Sequence, residues 1–245
     1  MNNVIPEPHT PFWAPNKRRP AFLFVLLAGL AAFLYWLPDN TRSDLLQALQ
    51  THRWLVVLLI LFAVLTISLI WSAGQQLDSR SFIFFNTRNY PLWLDRIMWS
   101  VTQLGNMLAA FISALILFIF NYRYLAIVTV LGTLTLWLLV EIIKLLADRD
   151  RPFLTFEGTR VIGYKEKGDS FPSGHTSQIF FLTTLYIQYF QLGLPASASL
   201  YTIAALVGFT RIYVGAHYPR DVLAGVVLGS VWGILSMLLK PYWLS

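Results

Sequence analysis

The sequence contains no cysteine and very little charge. Without cysteine there is no disulfide, no thiolate nucleophile and no cysteine-ligated metal site, and the redox compartment is not readable. Charged residues make up 12% of the chain, against about 25% in an ordinary soluble domain, which excludes a surface that faces water all round. Histidine is scarce too: His9, His52, His175 and His217 are the complete set, so any imidazole chemistry rests on few candidates. The net charge of +6 does not indicate nucleic acid, because the only basic run is Lys17-Arg18-Arg19. Beside an apolar stretch, such a cluster marks a membrane flank or an anionic lipid surface.

What the sequence has in quantity is apolar surface, with 56% hydrophobic residues and a mean hydropathy of +0.59 over 245 residues. A membrane span needs about 20 mostly apolar residues. The expected fold is therefore all-α, a polytopic transmembrane helix bundle of six or seven spans. Residues 1–19, rich in proline, read as a polar tail, and 20–245 as a single membrane-embedded domain with its motif-bearing core at about 107–240. Apolar runs place spans at about 21–37, 54–73, 107–120, 124–147, 172–192, 196–214 and 221–239. The first has a basic flank but no small-residue cleavage site before Pro38 and is followed by more spans, so it reads as an uncleaved helix rather than a signal peptide. Between the second and third spans, 75–106 reads as a long polar-aromatic connection. Trp93, Ile97, Val101 and Leu104 recur there at helical spacing, which predicts a short amphipathic helix at the interface; scattered aromatics in a loop are the alternative. In the last span Gly225, Gly229 and Gly233 form a small-residue face that lets another helix approach closely.

Three short segments place ionisable residues beside the spans, where they are expensive in lipid and so become functional candidates. In the first, Lys144 and Arg151 stand seven residues apart, on one face if the helix persists, before Pro152 ends it. Two cations together can bind an anion, and a guanidinium can hold phosphate oxygens bidentately. Simple snorkelling to the headgroups explains the same pattern, and Glu141, one turn before Lys144, can serve as its ion-pair partner. The second segment, Phe171-Pro-Ser-Gly-His175, opens a span. Its free backbone N–H groups suit a phosphate, with Ser173 and Gly174 allowing close approach and His175 beside it; a merely capped helix start fits as well. In the third, Arg211, His217 and Asp221 bridge two spans, with Pro219 placing Asp221 in the first helical turn. A carboxylate bonded to one imidazole nitrogen fixes the tautomer and frees the other nitrogen to attack, although a surface His–Asp pair has the same spacing.

Alternation of the spans brings all three segments to one membrane face. Lys144, Arg151 and Arg211 with a helix N-terminus then make a phosphate cradle, and the two histidines supply a nucleophile and an acid. The ordered set K-x6-RP (Lys144 to Pro152), PSGH (Pro172 to His175) and R-x5-H-x3-D (Arg211 to Asp221) resembles the type 2 phosphatidic acid phosphatase superfamily. That family's third motif usually begins Ser-Arg, and Thr210-Arg211 retains the hydroxyl. The resemblance implies that His217 becomes a phosphohistidine, Asp221 orients it and His175 protonates the leaving lipid oxygen. It likewise implies that Lys144, Arg151, Ser173, Gly174 and Arg211 bind the phosphate, with no metal and no cofactor. The implied partners are a lipid phosphate and membrane lipids, with no nucleic acid. Undecaprenyl diphosphate, phosphatidylglycerol phosphate and phosphatidic acid are the substrate classes implied. A phosphotransferase of the same superfamily is one alternative. A transporter is another, but it calls for mid-span charges that the sequence lacks apart from Glu141 and Lys144 near a helix end.

Seven spans put the N-terminus and the site on one face. The Lys17-Arg18-Arg19 cluster with Arg80, Arg88 and Arg96 marks that face as cytoplasmic, against Arg42, Arg53, Arg123 and Lys240 opposite. The resemblance implies instead a bacterial inner membrane with the site on its outer face.

Overall fold

The structure is a computed structural model that describes residues 53–69 and 72–238, with isolated helical positions at 28, 35, 43, 47, 50 and 51. The tail at 1–19, nearly all of the apolar stretch at 21–37, His9, His52, the Lys17-Arg18-Arg19 cluster, Arg42 and Lys240 lie outside the described residues.

Among the described residues all regular structure is helical. In chain order the helices are α1 (Arg53–Ser68), α2 (Ser72–Asn86), α3 (Leu92–Thr102) running into a 3-10 turn (Gln103–Gly105), α4 (Met107–Ile119) and α5 (Arg123–Ala147). A single turn, α6 (Pro152–Thr155), precedes α7 (Gly174–Phe190), α8 (Leu194–Tyr213) and α9 (Pro219–Leu238). By length and apolarity two helices, α5 and α9, can cross a bilayer singly, and up to four spans result if each of two bent pairs counts as one. Among the described residues that is fewer than the six or seven expected. α4 has only 13 residues and is bent by 59° from the α3 segment. The 16 residues of α1 end at Ser68, short of the expected end of that span.

The connection at 75–106 needs correcting. It holds the expected helix, α3, but also α2, which no periodicity announced. Gln75, Gln76, Asp78, Ser79 and Arg80 give α2 no apolar stripe; its helical state is fixed by what it meets in three dimensions. Phe82, Asp78 and Asn86 are buried, and Asn86 Nδ2 donates to the carbonyls of Arg160 and Tyr213, both at 2.9 Å.

The bundle buries many polar side chains beside its apolar core and leaves large apolar ones outside, as suits lipid. α7 lies at its centre and packs on α4, α5, α8, α9 and the 3-10 turn. Thr176, Ser177, Gln178, Thr183 and Thr184 of α7 are all buried, and Gln178 Nε2 donates to Thr133 Oγ1 of α5 at 2.9 Å. Large apolar side chains such as Leu115, Phe118, Trp137, Leu138 and Leu145 stay exposed on the outside. On α3 the apolar Trp93 and Ile97 likewise point outward, while Asp95 turns in to bond Arg160 Nη2 at 2.7 Å and Tyr213 Oη at 2.6 Å.

The glycine face of α9 sets how closely α7 approaches. A Cβ on Gly225 would stand 2.8 Å from the Ser173 carbonyl oxygen, and one on Gly233 would stand 2.7 Å from Thr184 Cβ. That contact carries the Ser173 N–H to the Asp221 carbonyl at 3.0 Å, which ties the start of α7 to the start of α9.

Candidate active site

α5 ends earlier than the motif spacing suggested. Its last helical residue is Ala147, Asp148 takes a left-handed φ of 44°, and Arg151 is extended (φ −76°, ψ 153°). A common helical face does not place Lys144 and Arg151. The 148–151 loop instead turns Arg151 into the bundle, where it is 1% exposed. Lys144 Nζ bonds Glu141 at 2.7 Å and lines the cavity described below.

Arg151 and Arg211, the latter fully buried, converge on one carboxylate, that of Glu166. Arg151 Nη1 donates to Glu166 Oε2 at 2.9 Å, and Arg211 Nη2 pairs with Oε1 of the same group. Arg211 Nη1 also donates to Thr102 Oγ1 at 2.8 Å, which fixes the guanidinium plane. Burial opposes ionisation of Glu166, but Arg211, His217, His175 and Arg151 together hold its carboxyl far below the usual carboxylate range. Glu166 lies in the glycine-flanked loop before α7, and no sequence motif marks it.

His217 sits between α8 and α9, 1% exposed. Its Nδ1 is 2.7 Å from the Ser170 carbonyl oxygen. A carbonyl only accepts, so Nδ1 carries the proton and Nε2 keeps its lone pair. Arg151 Nη1, 3.4 Å from Nε2, is a donor and agrees with that tautomer. Burial, offset in part by Asp221 and reinforced by the two arginines, pushes the His217 pKa down to about 4. The ring is therefore neutral at neutral pH, and Nε2, the free nitrogen, is 3.9 Å from Glu166 Oε2.

Asp221 stands behind this arrangement. Its Oδ2 is 3.7 Å from His217 Nδ1, too far for a hydrogen bond, and instead accepts from Ser170 Oγ at 2.5 Å and from the Tyr218 N–H at 2.8 Å. It thereby holds the residue whose carbonyl holds the imidazole. Its other oxygen pairs with Arg149, which also donates to Asp78 Oδ2 at 2.5 Å, and Arg220 Nε reaches the same Oδ2 at 2.6 Å. Glu166, Ser170, Arg149 and Asp78 were all missed by sequence reasoning. The only available signal was a charge beside an apolar run, which Arg149 and Asp78 share with many surface residues.

Ser173 caps α7 and accepts from the Thr176 N–H at 3.5 Å. A Cβ on Gly174 would meet only Val140 Cγ1, at 3.8 Å, so the backbone there is open to an approaching group. Gly105 of the 3-10 turn is tighter, since its Cβ would come within 2.7 Å of the His175 carbonyl oxygen. Lys144, Glu166, Gly174, His175 and His217 line a cavity of about 200 Å³. Met107, Leu136, Trp137 and Val140 line it as well, and Trp137 is half exposed on the outer surface of α5. The cavity thus brings two imidazoles and the Glu166 carboxylate together with apolar side chains, one of which, Trp137, reaches the outer surface.

The sequence pattern that defines the PAP2 superfamily matches residues 122–245. The chain belongs to the PAP2 superfamily. That PAP2 match takes in all three segments, from Lys144 to Asp221. An undecaprenyl-diphosphatase of Sulfolobus acidocaldarius is 30% identical over 189 residues, which is 74% of this chain and 88% of that protein. The transmembrane PAP2-type phosphatidylglycerolphosphate phosphatase of Bacillus subtilis superposes with a TM-score of 0.66 at 25% identity, over 77% of this chain and 96% of that one. Aquifex aeolicus LpxE superposes with a TM-score of 0.58 at 30% identity, over 65% and 93%. This PAP2 chain is a membrane protein with the fold of membrane phosphatases, and its relatives support a lipid phosphatase as its class of enzyme.

Proposed function

We propose that this PAP2 protein hydrolyses a phosphate monoester or diphosphate of a lipid through a phosphohistidine, without metal or cofactor. The observation that carries the proposal is the convergence of Arg151 and Arg211 on one anion beside the free Nε2 of His217, bordering a cavity that apolar side chains also line. Undecaprenyl diphosphate and phosphatidylglycerol phosphate, on which two relatives act by name, and phosphatidic acid have the required form: an anionic head and an apolar tail.

The Nε2 lone pair of His217 attacks phosphorus and forms an N–P bond, while the bond from phosphorus to the lipid oxygen breaks. With the anionic phosphate bound beside it, His175 serves as the imidazolium and gives its proton to that oxygen as the lipid leaves. Water then attacks phosphorus, passes a proton to His175, and the N–P bond breaks to release inorganic phosphate and restore His217. The Ser170 carbonyl takes up the Nδ1 proton's hydrogen bond throughout, and Asp221 steadies the positive ring as it forms. Arg151, Arg211 and Lys144, with Ser173 and the Gly174 backbone, neutralise the phosphoryl oxygens. Cations rather than carboxylates supply this neutralisation, so the step needs no Lewis acid.

The test is release of inorganic phosphate by the purified protein in detergent with excess EDTA, using the three lipids as substrates. Release that survives EDTA is expected, and a strict requirement for added divalent metal sinks the metal-free mechanism.

We place the site on the outer face of a bacterial inner membrane. This placement follows the resemblance and runs against the charge count from Arg80, Arg88 and Arg96. The lack of cysteine gives a clean probe. Tyr164, exposed in the loop before α7, is substituted in Tyr164→Cys, and a membrane-impermeant maleimide is expected to label it in intact cells. Labelling only after lysis reverses the orientation.

A further inference from the structure

A carboxylate of the protein itself sits where the mechanism needs the substrate's phosphate. Glu166 takes one hydrogen bond from each of the two buried arginines, and one of its oxygens lies 3.9 Å from the attacking nitrogen of His217. A planar group offering two oxygens to two guanidinium forks imitates one edge of a phosphoryl group. Both anions cannot occupy the site at once, since that would place three or more negative charges against Arg151, Arg211 and a Lys144 already paired with Glu141.

We propose that Glu166 is a resident competitor of phosphate: substrate enters only by displacing its side chain from Arg151 and Arg211, and the side chain returns as product leaves. The proposal rests on the phosphatase reading for its biological sense, but the displacement itself is a binding property that can be measured without turnover.

The position of the residue suits this role. Glu166 reaches the arginines from a loop rather than a helix, between Gly163 and Gly168, both with positive φ (88° and 80°). The residue is held chiefly by the two ion pairs, and its side chain is 18% exposed toward the cavity. Arg151 and Arg211 have additional anchors: Arg151 donates to the carbonyls of Gly168 and Ala216, and Arg211 to Thr102. The cradle therefore has the means to stay in place when the carboxylate moves away. The lining of the cavity shows where an arriving phosphate would come from, because Glu166, Lys144, His175 and His217 all border it.

The consequence is a threshold for occupancy. Displacing Glu166 weakens every incoming anion by the same factor, so the ratio of affinities between ligands does not change. The absolute affinities do. A lipid phosphate recovers binding from the apolar side chains of Met107, Leu136, Trp137 and Val140, whereas free phosphate has no tail to place there. The resident carboxylate thus keeps inorganic phosphate, the product, from accumulating in the site.

The test uses the full chain in detergent and inorganic phosphate as the probe, with thermal stabilisation as the readout. In Glu166→Gln, the phosphate concentration giving half of the maximal stabilisation is expected to fall by at least tenfold. Glu166→Asp, which keeps the charge but is one methylene shorter, is expected to fall between Gln and the native protein, and it covers the case in which the glutamine variant does not fold. If phosphate binds both variants no more tightly than the native protein, Glu166 is not a competitor and the proposal fails. Tighter phosphate binding in a protein that hydrolyses none of the lipids removes the phosphatase reading and leaves the competition intact.

Discussion

Replacing His217 with alanine is expected to reduce phosphate release by about a thousandfold or more, as happens when a covalent nucleophile is deleted. The imidazole has been prepared for one role. The Ser170 carbonyl fixes the proton on Nδ1, Arg151 faces the lone pair of Nε2, and burial keeps the ring neutral. With no other imidazole so placed among the described residues, the variant has no substitute nucleophile. His175 faces the same cavity, but its role in the proposed mechanism is to move a proton. The measurement is phosphate release from each lipid, accompanied by denaturing-gel detection of phosphate carried by the native protein and stable to alkali but not to acid. The pH profile gives a second readout: kcat/KM reports the free protein, and His217 is inactive when protonated. Activity is therefore lost as pH falls through about 4, not through the region near 6.5 where an ordinary imidazole titrates. A His217→Ala variant that keeps a tenth of the native rate would exclude the phosphohistidine.

The second large effect is on stability, and it concerns a residue that touches neither His217 nor the cavity. Arg149 lies between two buried carboxylates, pairing with Asp221 and with Asp78, its guanidinium 4.3 Å over the Tyr218 ring. Arg220 completes the set by bonding Asp78, so two cations balance two anions in a region closed to water. Removing one member of a buried ion pair costs about 3–5 kcal/mol because the partner stays charged and unpaired. For a chain of this size that corresponds to roughly 6–20 °C in melting temperature. Arg149→Ala is expected to show a loss of that order in detergent, together with reduced activity, because Asp221 positions Ser170 and Ser170 positions His217. Arg149→Lys keeps the charge but not the fork, and is expected to recover only part of both. An Arg149→Ala melting temperature within about 2 °C of the native value would mean that the network contributes little.

Much of the candidate site was legible before the structure because its residues are concentrated in short segments. Arg151, Ser173, Gly174, His175, Arg211, His217 and Asp221 occupy helix ends at fixed spacings, and alternating helices bring such ends to one level. The fold class followed from composition, since a chain with this little charge can satisfy its backbone in lipid only as helices or a closed barrel. α2 was not legible. Its helical state depends on Asn86 and Phe82 finding partners far along the chain, and a window of sequence does not contain those partners. Among the described residues, the run at 107–120 also takes a form that a window of sequence does not contain. Apolar runs mark where lipid contact is tolerated, but α3 and α4 bend at the 3-10 turn instead of forming one straight rod.

By itself, the sequence determined that this protein is helical, lives in a membrane and carries arginines and histidines suited to an anionic headgroup. Composition and local spacing contain that information, because burial cost and helix geometry act residue by residue. Only the tertiary structure decided which groups meet. It aimed the His217 Nδ1–H at the Ser170 carbonyl, put Arg149 between Asp78 and Asp221, and set the Glu166 carboxylate between Arg151 and Arg211. Hydrogen bonds and ion pairs act over a few ångströms, and between residues as far apart in sequence as 72 positions that distance is set by how the helices pack.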